Sequence, residues 1–198
     1  ERIKRSRPGR AIGLLGGSFN PAHDGHRFLS LQALRRLGLD QVWWLVSPQN
    51  PLKSADGMAD LPDRLRFARQ MARHPAIRVT DIERRLGTRY TVDTVTALRA
   101  RFPEHRFVWL MGADNLAQMP KWHRWQDLFE MVPIAVFDRA PYSVNAMAGM
   151  AAGRYRSRFV RSQAARCLPD ADAPCWSLIR MPLQKVSSTE IRAMGGGL

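Results

Sequence analysis

Cysteine is scarce in this chain: Cys167 and Cys175 are the only two among 198 residues. That excludes a disulfide framework and a cysteine-rich zinc site, and it makes the cytoplasm the default compartment. Acidic residues are also few, 17 against 31 Lys and Arg, for a formal charge of +14. No apolar run approaches the ~18 residues of a membrane span. The first ten residues, Glu1 to Arg10, are basic and lack the apolar core of a secretory signal. A G-x-G-x-x-G fingerprint is missing too, because the first glycines fall at 13, 16 and 17. The apolar run from Val42 to Val46 ends in Ser47 rather than in an acidic residue, which argues against a hydride-transferring dinucleotide enzyme.

The excess positive charge is localised. Residues 1–10 carry +4, and residues 154–166, with Arg154, Arg156, Arg158, Arg161 and Arg166, carry +5, leaving +5 for the rest. That remainder suits a protein that handles polyanionic nucleotides. No RNA- or DNA-reading motif accompanies it, so nucleic acid is not an expected partner, and the basic N-terminal stretch reads as solvated.

What is present is a regular alternation of strand and helix patterns. Ala11 to Leu15 reads as a first strand, and Phe28, Leu29, Leu31, Leu34 and Leu37 line one face of a first helix. Further strands are expected at 42–46, 77–82, 107–111, 133–137 and near 176–181. Pro62 suits the first turn of a helix with Leu65, Ala68, Met71 and Ala72 as its buried stripe. Thr91 is expected to cap a helix carrying Val95 and Leu98, and a helical Ala/Met/Arg segment should follow the strand at 133–137. The fold class is α/β: a Rossmann-like, doubly wound, mostly parallel sheet with helices on both faces. The expected organisation is a basic extension at 1–10, one domain over 11–194 and a short tail at 195–198.

The most informative stretch is Gly16-Gly17-Ser18-Phe19-Asn20-Pro21-Ala22-His23-Asp24-Gly25-His26, between the first strand and the first helix. Glycines after a strand let backbone N–H groups approach a phosphate, and two histidines at the helix entry place imidazoles near the positive end of its dipole. The pair has blander readings, as metal ligands or as plain helix-surface histidines. A zinc site needs more nitrogen or sulfur ligands than two.

This strand, glycine turn and His-x-Gly-His arrangement resembles the nucleotidylyltransferase superfamily. Five further segments narrow the likeness to bacterial nicotinate (nicotinamide) mononucleotide adenylyltransferases. They are Ser47-Pro48-Gln49-Asn50-Pro51-Leu52-Lys53, Tyr90-Thr91-Val92-Asp93-Thr94, Met111-Gly112-Ala113-Asp114-Asn115, Trp122-His123-Arg124-Trp125 and Ser187-Ser188-Thr189-Glu190-Ile191-Arg192. They occur in the family's order from about residue 11 to residue 192.

The resemblance implies transfer of the adenylyl group of ATP to nicotinate mononucleotide, with Mg²⁺ accompanying ATP and no direct protein ligation of the metal. It places His26, His23, Lys53 and Arg192 in the chemistry. ATP would meet Gly16, Gly17, Ser18, Phe19, His23, His26, Gly112, Asp114, Ser187, Ser188, Thr189 and Arg192. Nicotinate mononucleotide would meet Asn20, Lys53, Tyr90, Thr91, Trp122 and His123, with Trp122 as the platform for the pyridine ring and Trp125 as its buried companion. Ser187 to Glu190 also has the form of a capping box, so on its own it reads as a helix start.

The chain departs from the family pattern at Asn20, where Asp is common, at Leu52, where His is common, and at Arg89, where Ser is more usual. It also runs out soon after Arg192. The expected partners are the two nucleotides, with self-association into a homo-oligomer as a further option and no membrane. The competing readings are a phosphopantetheine adenylyltransferase-like enzyme and a non-catalytic nucleotide- or RNA-binding module.

Overall fold

Apolar segments rich in Val, Ile, Leu and Trp form the strands of one sheet, and the polar stretches between them fold as helices over its two faces. The structure is a computed structural model that describes residues 9–48, 57–138 and 147–181. Its strands are β1 (Ala11–Gly17), β2 (Gln41–Val46), β3 (Ile77–Thr80), β4 (Arg106–Gly112), β5 (Ile134–Asp138) and β6 (Trp176–Arg180). The helices used below are α1 (Asp24–Leu37), α2 (Leu61–Ala72), α3 (Ile82–Leu86), α4 (Thr91–Arg101), α5 (Ala113–Gln118), α6 (Trp125–Met131) and α7 (Met150–Arg154).

The strand order is β3-β2-β1-β4-β5-β6, and every pairing is parallel. The sheet expected to be mostly parallel is thus wholly parallel among the described residues. The chain leaves β1 toward β2 and β3, then returns to the other side of β1 as β4. The order therefore reverses between β1 and β4, where ligands bind outside the carboxyl ends of the strands.

Side chains alternate along each strand and so build two cores. Ala11 and Leu15 of β1 with Val108 and Leu110 of β4 pack against α1 and α2. Ile12 and Leu14 with Phe107, Trp109 and Met111 face α4 and α6. Both faces are covered, which is why the strands read as nearly continuous apolar runs. Helix α1 ends at Gly38, whose φ of 65° suits glycine.

Several boundaries differ from the sequence expectation. The strand anticipated over 77–82 stops at Thr80, and Ile82 opens the unanticipated α3. Asp81 sits at that helix entry and pairs with Arg84 at 2.6 Å and Arg85 at 3.0 Å. The Arg84 hydrogen bond also holds the Asp81 carboxyl below its ordinary range. Gly87, at φ 66°, ends the helix.

Thr91 is the first residue of α4 rather than its cap; Tyr90 occupies the cap position, with no side-chain hydrogen bond to the helix end. The helical Ala/Met/Arg segment expected after β5 includes the short α7 and is followed by 3-10 turns at Arg156–Arg158 and Ser162–Asp170. Pro169, lacking an N–H, lies within the second of these.

Candidate active site

The carboxyl end of β1 runs into a tight, well-supported turn. Gly16 is required there by packing: a Cβ at this position would lie 2.6 Å from the Trp109 indole. Phe19 adopts a left-handed φ of 47°, rare for a bulky residue, and is buried at 2 % exposure. Its ring stacks on Trp44 of β2 at 5.0 Å and lies 4.7 Å from His26. The following Asn20–Pro21 peptide bond is cis.

The two histidines close the start of α1 reciprocally. His23 occupies the cap position, and its Nδ1 accepts from the Gly25 amide at 3.0 Å. His26 Nδ1 accepts from the His23 amide at 3.2 Å. This is a capping box with imidazoles in place of the usual hydroxyl and carboxyl groups. A ring nitrogen that accepts from an amide carries no proton, so each ring holds its proton on Nε2 and presents that N–H as a donor. The rings lie 3.9 Å apart, centre to centre.

Behind them, buried Ser30 donates to the His26 carbonyl at 2.8 Å and accepts from the Trp44 indole at 2.8 Å. Sequence reasoning missed Ser30 and Trp44 because they are an ordinary mid-helix serine and an ordinary strand tryptophan until the fold joins them.

On the other side of the switch point, Gly112 ends β4 in extended backbone and is followed by half-buried Asp114 in the first turn of α5. Trp122 is half-buried and meets Trp109 edge-to-face at 6.4 Å, whereas Trp125 is buried at 7 %. Trp109, expected only as a strand residue, thus packs between Gly16 and Trp122 and links the two halves of the site.

The Tyr90 ring lies 4.3 Å from exposed His123, with the Arg89 guanidinium 5.7 Å from the centre of the Tyr90 ring. Arg124 reinforces that meeting, pairing with Asp127 at 2.6 Å and reaching Asp93 of α4 at 3.9 Å. Below Tyr90, Glu83 is buried at 7 % exposure. Burial pushes its carboxyl up to about 7, against a hydrogen bond from Thr94. Thr94 in turn bonds Thr88 at 2.8 Å, so α3, α4 and the Thr88–Tyr90 stretch are tied together.

The structure therefore brings together Gly16, Gly17, Ser18, Phe19, His23 and His26 as one group. It brings Tyr90, Trp122 and His123 together as another, with Thr91 opening the helix that follows Tyr90. Asn20 ties the turn to the approach of α2: its side-chain amide donates to the Gly57 carbonyl at 3.1 Å and accepts from the Ala59 amide at 3.3 Å. Lys53, Ser187, Ser188, Thr189 and Arg192 lie outside the described residues.

Comparison with known proteins gives this geometry its setting. The profile of the cytidylyltransferase-like family matches residues 14–194. The chain belongs to that family. It is 54 % identical over 189 residues to a protein of Parvibaculum lavamentivorans named "Probable nicotinate-nucleotide adenylyltransferase", covering 96 % of this chain and 94 % of that one. A relative of the same name from Ruegeria pomeroyi is 51 % identical, covering 96 % of this chain and 89 % of that one.

Among solved structures, the nicotinic acid mononucleotide adenylyltransferase of Plasmodium falciparum complexed with NaAD aligns with a TM-score of 0.71. It covers 93 % of this chain and 83 % of that one, at 16 % identity, and so speaks to the fold. Within the cytidylyltransferase-like family, the chain groups with the nicotinate-nucleotide adenylyltransferases. The glycine turn and histidine pair thus occupy the start of a family-wide match. No helix of the described residues is long and apolar enough to cross a membrane.

Proposed function

We propose that this chain is a nicotinate-nucleotide adenylyltransferase, joining ATP and nicotinate mononucleotide into nicotinate adenine dinucleotide and releasing pyrophosphate. The observation that carries the reading is the reciprocal imidazole cap on α1, which places both histidines and a helix amino terminus close to the switch point between β1 and β4. Such an arrangement suits a phosphate and not a cation.

The 5′-phosphate of the mononucleotide is already an anion and attacks the α-phosphorus of ATP without a general base. One P–O bond forms as the bond to pyrophosphate breaks. Catalysis then consists of in-line placement and of donors that meet the charge developing on the α-phosphate. His26 Nε2–H supplies the principal donor and His23 Nε2–H assists. Ser18 and the glycine turn border the phosphates, and Gly112 and Asp114 receive the adenosine.

The pyridine ring is assigned to Trp122. Its carboxylate is assigned to backbone amides near Thr91 and His123, beside Tyr90. Lys53, Ser187, Ser188, Thr189 and Arg192 are assigned to the phosphates by the family motifs, and Asn20 to the mononucleotide edge of the turn. Mg²⁺ would enter with ATP as part of the substrate, where it would offset charge on the triphosphate. A cytoplasmic location accords with Cys167 and Cys175 being free thiols.

The test is pyrophosphate release from ATP and Mg²⁺ with nicotinate mononucleotide, nicotinamide mononucleotide or phosphopantetheine as acceptor. Release with nicotinate mononucleotide supports the reading. Release only with phosphopantetheine, or with none of the three, overturns it.

A further inference from the structure

Helix α2 buries a cation. Arg64 is 1 % exposed, although the adjoining Asp63 and Arg66 form a salt bridge on the exposed side of the helix. A buried guanidinium demands acceptors, and here backbone carbonyls supply them. Nε donates to the Ala59 carbonyl at 2.8 Å. Nη1 donates to the Ser18 and Ser47 carbonyls, each at 2.7 Å. Nη2 donates to the Pro48 carbonyl at 2.9 Å.

These acceptors come from three separate stretches: the turn after β1, the exit of β2 and the approach to α2. All three lie at the carboxyl edge of the sheet, where the candidate site is. Other bonds run between the same stretches. Ser47 donates its amide to the Gly17 carbonyl at 2.9 Å, and Asn20 ties the turn to Gly57 and Ala59. Phe19, held left-handed at φ 47°, sits directly after Ser18, and such a conformation persists only where surrounding contacts enforce it.

We propose that Arg64 is a positioning residue for adenylyl transfer, holding the Ser18 turn, the β2 exit and the α2 entry in the single arrangement that sets the turn and the His23/His26 pair against the α-phosphate. The inference rests on the adenylyl-transfer reading above. Only a planar fork reaches four carbonyls in three directions; an ammonium at the same place is a point donor.

The experiment compares Arg64→Lys and Arg64→Ala with the wild-type chain in the pyrophosphate-release assay, with circular dichroism and thermal melts run alongside. No release by the wild-type chain refutes the reading itself and not the role of Arg64. With an active wild type, Arg64→Lys is expected to remain folded at the assay temperature and to lose ~30-fold or more in kcat. KM for both nucleotides should stay within ~3-fold, the signature of an interaction that acts on the transition state. In Arg64→Ala, millimolar guanidinium should restore part of kcat, while urea at equal concentration should not.

A wild-type kcat in Arg64→Lys overturns the proposal. So does a loss confined to KM, or one that merely tracks the unfolded fraction. If Arg64→Ala does not fold, the kcat and KM of Arg64→Lys decide alone.

Discussion

Replacing His26 tests the site most directly, because the structure assigns its ring two separable tasks. Nε2–H is the proposed donor to the α-phosphate, and Nδ1 accepts from the His23 amide at 3.2 Å. His26→Ala removes both. Loss of one preorganised donor to developing charge costs ~10²–10³ in kcat, or about 2.7–4 kcal/mol. Loss of the cap contact costs about 1 kcal/mol of stability, which in a chain of this size lowers Tm by about 2–4 °C.

His26→Gln separates the two effects, since glutamine at this helix position is a natural partner in a capping box and its carbonyl can take the His23 amide. The expected pattern is a kcat loss in both variants and a Tm loss in the alanine variant alone. Steady-state pyrophosphate release and thermal melts measure the two quantities. Near-normal kcat in His26→Ala would refute the donor role, and an equal Tm loss in both variants would refute the capping argument.

Four more outcomes are expected. Backbone donors near Thr91 and His123 should favour the carboxylate of nicotinate mononucleotide over the amide of its analogue by ~10-fold or more in kcat/KM, because the amide sets NH₂ against N–H. Trp122→Ala should weaken both substrates alike, and equal kcat/KM for the two in the wild type would remove the carboxylate pocket. Gly16→Ala forces a Cβ to 2.6 Å from the Trp109 indole, an overpacking worth ~1–3 kcal/mol. Its Tm loss should be recovered in part by adding Trp109→Phe, and a melt showing no recovery would mean that the clash is not with Trp109. The Glu83 carboxyl is pushed up to about 7 from 4.5 in the folded chain, so the folded state binds more protons than the unfolded state between those values. Stability should therefore fall as pH rises through that window, by up to ~1.4 kcal/mol per pH unit, and Glu83→Gln should abolish that slope in urea melts taken from pH 4.5 to 7.5.

Residues close in the chain made much of this protein legible before folding. Continuous apolar runs at Val42–Val46 and Phe107–Met111 imply strands buried on both faces, and the structure pairs β2 and β4 on either side of β1. The glycine turn and His-x-Gly-His lie within eleven residues, so their placement at a helix entry follows from local pattern. Trp125 is buried, as expected of it, while Trp122 is half-buried.

Other features depend on partners far away in sequence and carry no local mark. The strand expected over 77–82 stops at Thr80 and Ile82 opens α3, where Asp81 meets Arg84 and Arg85. Arg64 sits in a helix whose other charges face solvent, and only its meeting with Ser18, 46 positions earlier, gives it a place in the site. Gly16 reads as a phosphate-turn glycine, yet the demand for its missing side chain comes from Trp109 on another strand. The Tyr90–His123 contact similarly requires α4 and α6 to lie side by side. Sequence alone determined the strand–turn–helix chemistry and the parallel α/β class, because both arise from short-range periodicity. Tertiary structure alone decided which buried charge, indole and hydroxyl support the site, because burial and hydrogen-bond satisfaction belong to pairs of residues that only folding brings together.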